Sequence, residues 1–327
     1  MPVLKDQYQR TINYLRISIT DRCNLRCQYC MPEEGIPLIP HDTILRYEEI
    51  LRLVRVYAKA GISKIRLTGG EPLVRKGILD FVSELGQIPG IDDLSMTTNG
   101  VLFKQFAEPL KKAGLTRINI SLDTLIPEKF YTITRRDKFR EVWSGIEEAL
   151  KVGFSPVKLN VVAINGTNHN EVLDFARLSQ RLPLSVRFIE YMPAGDGHWN
   201  PDLVCTANKM KQQIEEIGEL VYIEEESTGP AVRYRFKKSP GEIGFINPIS
   251  CHFCKTCNRI RLTPDGNLRP CLFSDDEIDL KPFLRGNCSD DTLLGALHQA
   301  LAMKPEKHQI TKIQFKKCQR TMSAIGG

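Results

Sequence analysis

The stretch YLRISITDRCNLRCQYCMP, residues 14–32, joins a run of alternating apolar and polar residues to three closely spaced cysteines. The alternation predicts a β-strand over Tyr14–Thr20, and Cys23, Cys27 and Cys30 follow in the loop after it. With 10 cysteines in 327 residues, this spacing arises by chance in about one chain in a hundred. The spacing therefore indicates a chemical role for the loop.

Outward from this stretch, short β-branched runs alternate with longer amphipathic segments, which is typical of βα units around a parallel sheet. The predicted strands are Tyr14–Thr20, Lys64–Thr68, Asp93–Thr98, Arg117–Leu122, Val157–Ala163 and Ser185–Tyr191. The predicted helices are Arg46–Ala60, Gly77–Leu85, Phe103–Ala113, Lys138–Val152, Asn170–Leu182 and Ala207–Ile217. Asn168 and Glu171 have the spacing of a capping box. Helices on one side of the sheet would give an incomplete βα barrel, and helices on both sides would give a doubly wound sheet. The periodicity of the apolar residues is compatible with both folds.

The βα pattern ends after Tyr191, where prolines and glycines between residues 193 and 201 predict a boundary. We expect a barrel domain over residues 1–195 and a C-terminal region over residues 196–327. In the second region short strands, turns and a further group of cysteines predict an α+β structure.

The composition limits the classes of function. Charged residues make up 26% of the chain and hydrophobic residues 42%, as in ordinary soluble proteins. The polar start and the lack of a long apolar segment predict a cytoplasmic protein without a membrane partner. Disulfides are rare in that compartment, so closely spaced cysteines indicate metal or redox chemistry. The net charge of +6 suits nucleic acid, but no long Lys/Arg run accompanies it, and a phosphorylated small molecule fits this modest excess equally well. We expect no nucleic-acid partner.

Three thiolates suit a cubane iron–sulfur cluster that leaves one iron without a protein ligand, because closed electron carriers use four cysteines. A structural zinc site is the alternative, although such sites have four ligands. The spacing of the three cysteines, with Tyr29 before the last, resembles the motif of the radical S-adenosylmethionine superfamily. The resemblance implies a [4Fe–4S] cluster on Cys23, Cys27 and Cys30, which cleaves S-adenosylmethionine to a 5′-deoxyadenosyl radical. It also implies an incomplete (βα)6 TIM-like barrel.

A second motif, LTGGEP at residues 67–72, ends the second predicted strand with two glycines. Glycine lacks Cβ and allows a ligand to approach the backbone, but two glycines after a strand are weak evidence alone. The superfamily resemblance implies that Gly70 receives the amino group of S-adenosylmethionine. It also implies that Tyr29 lies against the adenine and that Ser121 and Met192 contact the same cofactor.

Cys254, Cys257 and Cys271 form a second group of three, and Cys251 offers an alternative register with Cys254 and Cys257. A zinc site made of all four is also open from the spacing. With the motifs of residues 14–18, 97–100, 121–123, 158–160, 187–192 and 325–327, this group resembles the GTP cyclases of molybdenum cofactor biosynthesis. That resemblance implies a second [4Fe–4S] cluster on Cys254, Cys257 and Cys271, whose open iron contacts guanine.

The same resemblance implies that GTP is bound by Arg16, Arg66, Thr97, Lys158, Arg259 and Arg261, and arginine suits phosphates because of its planar fork of donors. Arg259 and Arg261, with the terminal Gly326 and Gly327, are implied to be needed for catalysis. We expect deletion of both glycines to remove cyclase activity and to leave clusters and fold intact.

The reaction implied for the family starts with hydrogen removal from the ribose 3′-position and attack of the sugar radical on guanine C8. The product is (8S)-3′,8-cyclo-7,8-dihydroguanosine 5′-triphosphate. The implied partners are a reductant such as flavodoxin or dithionite, a downstream cyclic pyranopterin monophosphate synthase and a second copy of the chain in a homodimer. The alternative is another radical S-adenosylmethionine enzyme with an auxiliary cluster that acts on a peptide.

Overall fold

A computed structural model describes residues 3–193, 199–224, 229–310 and 318–326 of the chain. The strands are β1 Tyr14–Ser18, β2 Lys64–Thr68, β3 Asp93–Thr98, β4 Arg117–Ser121, β5 Val157–Ala163, β6 Leu184–Glu190, β7 Leu220–Tyr222, β8 Val232–Phe236, β9 Glu242–Ile246, β10 Arg259–Leu262, β11 Asn267–Arg269 and β12 Ile278–Asp279. The α-helices are α1 Tyr47–Ala60, α2 Ile78–Gly86, α3 Phe103–Lys112, α4 Pro127–Thr134, α5 Phe139–Lys151, α6 Val172–Arg181, α7 Ala207–Glu215, α8 Lys281–Arg285, α9 Asp290–Ala302 and α10 Met322–Ile325.

All strands belong to one open sheet in the order β12-β11-β10-β1-β2-β3-β4-β5-β6-β9-β8-β7. Strands β1 to β6 are parallel neighbours in chain order. Because βα crossovers are right-handed, an unbroken strand order places all the connecting helices on one face. Consecutive helices are indeed in contact, α1 with α2 and α2 with α3. The predicted incomplete barrel is therefore confirmed, and the doubly wound alternative is excluded.

The C-terminal strands extend the barrel sheet at both edges, which the sequence did not predict. Strand β10 pairs parallel with β1, and β9 pairs parallel with β6. Parallel neighbours need long connections, and here the connections include α7 and the antiparallel β7–β8–β9 ladder. Eight parallel strands thus curve around one interior.

Helix α1 shows why the predicted helices form. The Glu49 carboxylate accepts a hydrogen bond from the Arg46 backbone N–H at 2.6 Å and so satisfies one unpaired donor at the start. Gly61 ends the helix with φ 114°, a left-handed conformation that glycine adopts without strain. Between these ends Ile50, Val54 and Tyr57 form the buried stripe that packs on the sheet.

The strands of the barrel have one apolar and one polar face. On β1 the apolar residues Leu15 and Ile17 are fully buried in the core beneath the helices. Their neighbours on the strand, Arg16 and Ser18, have the opposite orientation because successive side chains alternate. The helices cover the apolar face, so the polar face lines the interior of the barrel. The barrel interior is thus the polar surface that a substrate can reach from the strand ends.

Candidate active site

The first cysteine loop follows β1 at the carboxyl edge of the parallel strands. Helix α4, which the sequence did not predict, anchors it. The backbone N–H groups of Arg26 and Gln28 donate to carbonyls at the end of α4, at 3.0 and 2.9 Å. The Arg135 side chain, just after α4, donates to the Met31 carbonyl at 3.0 Å. The loop is thus fixed at both sides of Cys27.

The three thiols of this loop lie close enough to affect one another. Burial, with a smaller contribution from Glu71, raises the pKa of Cys23 to about 11. Burial and the neighbouring thiols also raise the pKa values of Cys27 and Cys30. The thiols are therefore neutral at pH 7 unless a bound cation stabilises the thiolates. A positively charged iron core supplies such a cation, so the donor set fits an iron–sulfur cluster.

The glycines of the LTGGEP motif pack directly against the base of this loop. A Cβ on Gly70 would lie 2.4 Å from the Arg22 carbonyl oxygen, and one on Gly69 would lie 2.5 Å from the Thr20 carbonyl oxygen. The Gly70 N–H donates to the same Thr20 oxygen at 2.8 Å. Glycine is thus required here by backbone contact, a reason that differs from the predicted approach of a ligand. The predicted cofactor contact of Gly70 stays a prediction.

The other predicted cofactor residues surround the same loop. The Tyr29 hydroxyl donates to Asp123 at 2.5 Å, and its ring meets Tyr191 edge-on at 6.5 Å. Ser121 lines a small cavity of about 30 Å³ together with Cys27 and Tyr29. Met192, two residues beyond β6, packs against a small apolar cluster that includes Ile249. The structure therefore brings these residues to the carboxyl edge of the strands.

The second cysteine group lies at the opposite, amino edge of the parallel strands. Cys257 precedes β10, which runs parallel to β1, and Cys271 follows the antiparallel strand β11. Burial, Cys271 and Cys257 all raise the pKa of Cys254, which places the three thiols together. Burial also acts to raise the pKa of Cys257, but Arg259 and Lys304 outweigh it and lower that pKa to about 6. A thiolate ligand is thus favoured at Cys257.

Neither cysteine group has the spacing of a mononuclear zinc site. Four thiolates at 2.3 Å from zinc stand about 3.8 Å apart. Among the described residues, three possible metal ligands lie within 4.8 Å of one another only in the group of His252, Cys254 and His308, which is neither of the two cysteine groups. The two imidazoles stack at 4.2 Å with planes 28° apart, so their in-plane lone pairs do not converge on one ion. A cubane, which binds each thiolate at a different iron, fits the wider spacing.

We expect Cys251→Ala to keep both clusters, because Cys251 is exposed and is not among the thiols that affect Cys254. Anaerobically reconstituted protein should then contain about eight irons per chain. Cys254→Ala is the matched control and should reduce the count to about four. An iron count near four in Cys251→Ala would show instead that Cys251, Cys254 and Cys257 bind the second cluster.

Between the two cysteine groups the polar face of the sheet carries a belt of cations. Register pairs Arg16 with Arg261 on one side and with Arg66 on the other. The belt continues through Arg117, Lys158 and Arg187 on β4, β5 and β6. Thr97, Asn119 and Asn160 lie on the same face, and each has a buried side-chain oxygen without a hydrogen-bond partner in the described part of the chain. The cations and the Thr97 hydroxyl suit an anion, whereas the two asparagine oxygens can only accept and suit hydroxyl or N–H donors of the same ligand.

Burial and mutual repulsion disfavour the charges of this belt. Burial, then Arg187, lowers the pKa of Lys158 to about 5, and burial, then Arg66, lowers that of Arg187 to about 9. The Lys158 ammonium has no ion-pair or hydrogen-bond partner within the described ranges. A polyphosphate would relieve this repulsion. The sequence prediction omitted Arg187, although its position between Ser185 and Ile189 gives it the same orientation on β6.

The C-terminal tail reaches this belt from the helix α10. The Arg261 side chain donates to the Gly326 carbonyl at 2.7 Å, and Gly326 lies against Thr68 and Ser18 of the first two strands. The tail therefore enters the barrel interior beside a predicted substrate residue. Gly327, the other predicted residue of the tail, lies outside the described residues.

Known proteins match the chain over its whole length. Residues 17–179 match the Radical SAM superfamily, and residues 184–310 match Molybdenum Cofactor Synthesis C. Proteins named GTP 3',8-cyclase from Alkaliphilus metalliredigens and Moorella thermoacetica are 50% identical to it over 325 residues, with 99% of this chain and 100% of each relative covered. The chain belongs to the GTP 3',8-cyclase family. The predicted resemblance is confirmed.

A more distant likeness of this GTP 3',8-cyclase family member concerns the fold alone. SuiB from Streptococcus suis superposes with a TM-score of 0.61 at 14% identity, covering 92% of this chain and 74% of that chain. In the described part of the chain no helix is both long and apolar enough to cross a membrane. The two family matches meet between residues 179 and 184, and the boundary predicted at residue 195 stays a prediction.

Proposed function

We propose that the chain is a radical S-adenosylmethionine enzyme that converts GTP to (8S)-3′,8-cyclo-7,8-dihydroguanosine 5′-triphosphate, the first step of molybdenum cofactor biosynthesis. One observation carries the proposal. Two groups of three cysteines lie at opposite ends of a barrel interior, and a belt of buried and half-buried cations lies between them. This arrangement suits a cofactor at one end, a base at the other and a triphosphate in the middle.

At the carboxyl edge, Cys23, Cys27 and Cys30 hold one [4Fe–4S] cluster. When bound, this cluster and S-adenosylmethionine supply a 5′-deoxyadenosyl radical. The residues of the chain position the cofactor and keep water away. Tyr29 is held by Asp123 at 2.5 Å and offers its ring to the adenine. Gly70, Ser121 and Met192 complete the cofactor site at the same edge.

In the middle, the cation belt binds the triphosphate of GTP. Arg16, Arg66, Lys158 and Thr97 take the roles predicted from the sequence, and Arg187 joins them because it shares their face. Charge-assisted hydrogen bonds from these donors are about twice as strong as neutral ones. A triphosphate also replaces cation–cation repulsion by attraction, so the site gains more from an anion than an exposed patch would.

At the amino edge, Cys254, Cys257 and Cys271 would hold the second [4Fe–4S] cluster, which would supply an iron without a protein ligand for the guanine. Arg259 and Arg261 project from β10 between this cluster and the belt. Arg261 also holds Gly326 in place at 2.7 Å. These two arginines and Gly326 thus close the substrate site from the C-terminal side, and Gly327 keeps the catalytic role predicted from the sequence.

Several partners complete the proposal. A low-potential reductant such as flavodoxin, or dithionite in vitro, supplies the electron. A cyclic pyranopterin monophosphate synthase takes the product, and the chain forms a homodimer in the cytoplasm. The barrel domain spans residues 1–195 and the C-terminal region spans residues 196–327. A peptide substrate is not favoured, because full-length relatives at 50% identity are named GTP 3',8-cyclase, whereas the SuiB likeness concerns the fold.

Anaerobic reconstitution followed by turnover tests the function. We expect about eight irons per chain, and 5′-deoxyadenosine after reduction with S-adenosylmethionine. GTP deuterated at the ribose 3′-position should pass deuterium to the 5′-deoxyadenosine, whereas ATP should give no cyclised product. Cys23→Ala is the control that should lose both products. If 5′-deoxyadenosine forms without deuterium from GTP, the chain cleaves S-adenosylmethionine but GTP is not its substrate.

A further inference from the structure

A buried lysine lies between the segments that carry the second cysteine group. Lys304 follows α9 in the chain, and only 2% of its surface is exposed. Its ammonium donates to the carbonyl oxygens of Arg259 and Pro270, each at 2.8 Å, and lies 3.7 Å from the Cys257 sulfur. These contacts use all three donors of an ammonium group. The geometry therefore fixes the Lys304 side chain in one position.

The three acceptors belong to two different segments of the site. Arg259 begins β10 and Cys257 lies two residues before it, whereas Pro270 directly precedes Cys271 after β11. One ammonium thus ties the segment of Cys257 to the segment of Cys271. A neutral side chain at this position would leave two buried carbonyls without these donors.

The backbone around Lys304 is tied to the third cysteine. The Arg10 guanidinium donates to the carbonyl oxygens of Pro305 and Glu306, both at 2.8 Å, and to that of Cys254 at 2.9 Å. Gln7 donates to the Lys304 carbonyl at 3.1 Å. The N-terminal segment thereby fixes the position from which Lys304 reaches the other two cysteines.

We propose that Lys304 is a positioning residue for the second iron–sulfur cluster, holding its two cysteine-bearing segments at cluster spacing and making that cluster easier to reduce. The proposal rests on the proposed function, which places a cluster on these cysteines. Hydrogen bonds and positive charge at a ligand sulfur favour the reduced cluster, because reduction adds negative charge. Lys304 brings a hydrogen-bond donor and a positive charge to the Cys257 sulfur.

The test compares Lys304→Met and Lys304→Arg in the full chain, in a background where Cys23, Cys27 and Cys30 are alanine. The parent of this background should hold about four irons, all in the second cluster. Lys304→Met should either shift the midpoint potential of this cluster to a more negative value or lose the iron with an unchanged circular dichroism spectrum. Lys304→Arg keeps the charge and should restore part of either loss. Lys129→Met, which removes a half-buried lysine paired with Glu171, is the matched control and should change neither quantity.

A spectroscopic measurement on the unmutated ligand set covers the case in which Lys304→Met does not fold. With ¹⁵N-lysine in the parent background, pulsed EPR of the reduced cluster should show a weak ¹⁵N coupling from the ammonium near Cys257. An unchanged potential and iron content in Lys304→Met, or no ¹⁵N coupling in the parent, would overturn the proposal. A parent without iron would instead overturn the proposed cluster itself, so the two failures are distinguishable.

Discussion

Replacing Gly326 by alanine should reduce GTP cyclisation by about 100-fold or more, because an error of about 1 Å in a catalytic group has an effect of that size. A Cβ at this position would lie 2.2 Å from the Thr68 hydroxyl oxygen and 2.9 Å from the Ser18 Cβ. The residue also has φ +82°, which an alanine adopts only with strain. The tail must therefore move out of its place. Product formation from GTP, measured beside the iron content, checks this.

Both clusters should survive in Gly326→Ala, with about eight irons per chain. Gly295→Ala is the matched control, because Gly295 is exposed in α9 and a Cβ there would meet nothing within 4 Å. That variant should keep full activity and gain about 0.5–1 kcal/mol of stability from the better helix former. Wild-type turnover by Gly326→Ala would show that the tail does not act at the substrate.

The C-terminal tail has a second attachment to the rest of the chain. The expected loss of activity in Gly326→Ala therefore reports the position of Gly326 rather than detachment of the tail. Arg320 donates to Asp265 at 2.9 Å and to Glu277 at 2.6 Å. Asp265 lies in the turn between β10 and β11, at the carboxyl end of β10. In Gly326→Ala this ion-pair anchor remains. The last residues alone are displaced.

The barrel strands could be predicted because their pattern is local. Each has a β-branched, alternating run, and the structure places β2, β3 and β5 at the predicted bounds. The parallel pairing of β9 and β10 with the barrel edges could not be predicted in this way. These strands are short, and their partners β6 and β1 are distant in the chain, so nothing in their own sequence specifies the partner. The sequence therefore predicts an α+β region without indicating that its strands join the barrel sheet.

The predicted capping box at Asn168 was wrong for a related reason. The Asn168 amide donates to the carbonyls of Asp123 and Val162, at 2.6 and 2.8 Å, and makes no cap. Glu171 instead accepts from Thr124 at 2.8 Å. Both side chains satisfy groups of the neighbouring strand end, because that end is buried and needs partners. Local spacing cannot reveal this competing demand.

The site was predictable only where a motif carried it. The cysteines and most cations were assigned from motifs. Arg187 lies in the motif of residues 187–192, but its place in the site required the orientation of β6, and Lys304 required the fold. A lysine on the loop after a helix gives no sign in the sequence that it lies buried beside Cys257. Contacts between distant segments thus define the part of the site that sequence reasoning missed.

Lys158→Met should weaken GTP binding by about 10- to 150-fold, since a hydrogen bond to a charged group is worth about 1.5–3 kcal/mol and each 1.4 kcal/mol is tenfold. The free chain holds the pKa of Lys158 at about 5, first through burial and then through Arg187. A bound triphosphate favours the ammonium, so GTP binding at pH 7 should take up a proton. Calorimetry in buffers of different ionisation enthalpy measures both the affinity and the proton.

The same substitution should stabilise the chain without substrate. The pKa of Lys158 lies below its ordinary 10.5 in the folded state, so the unfolded state binds more protons between pH 5 and pH 10.5. Lys158 therefore reduces stability within this window, and increasingly so as the pH falls. Lys158→Met should raise the free energy of unfolding by about 1–3 kcal/mol at pH 7, with a larger gain at pH 6 than at pH 9.

Lys129→Met serves as the control for both measurements, because the Lys129 ammonium pairs with the Glu171 carboxylate at 2.7 Å. It should lose stability rather than gain it, and it should bind GTP as the parent does. A Lys158→Met chain that is more stable but binds GTP with unchanged affinity and proton uptake would place the triphosphate elsewhere. A chain that loses affinity and gains stability, by contrast, would show that GTP binding offsets the cost of burying Lys158 in the cation belt, since one buried lysine then accounts for both effects.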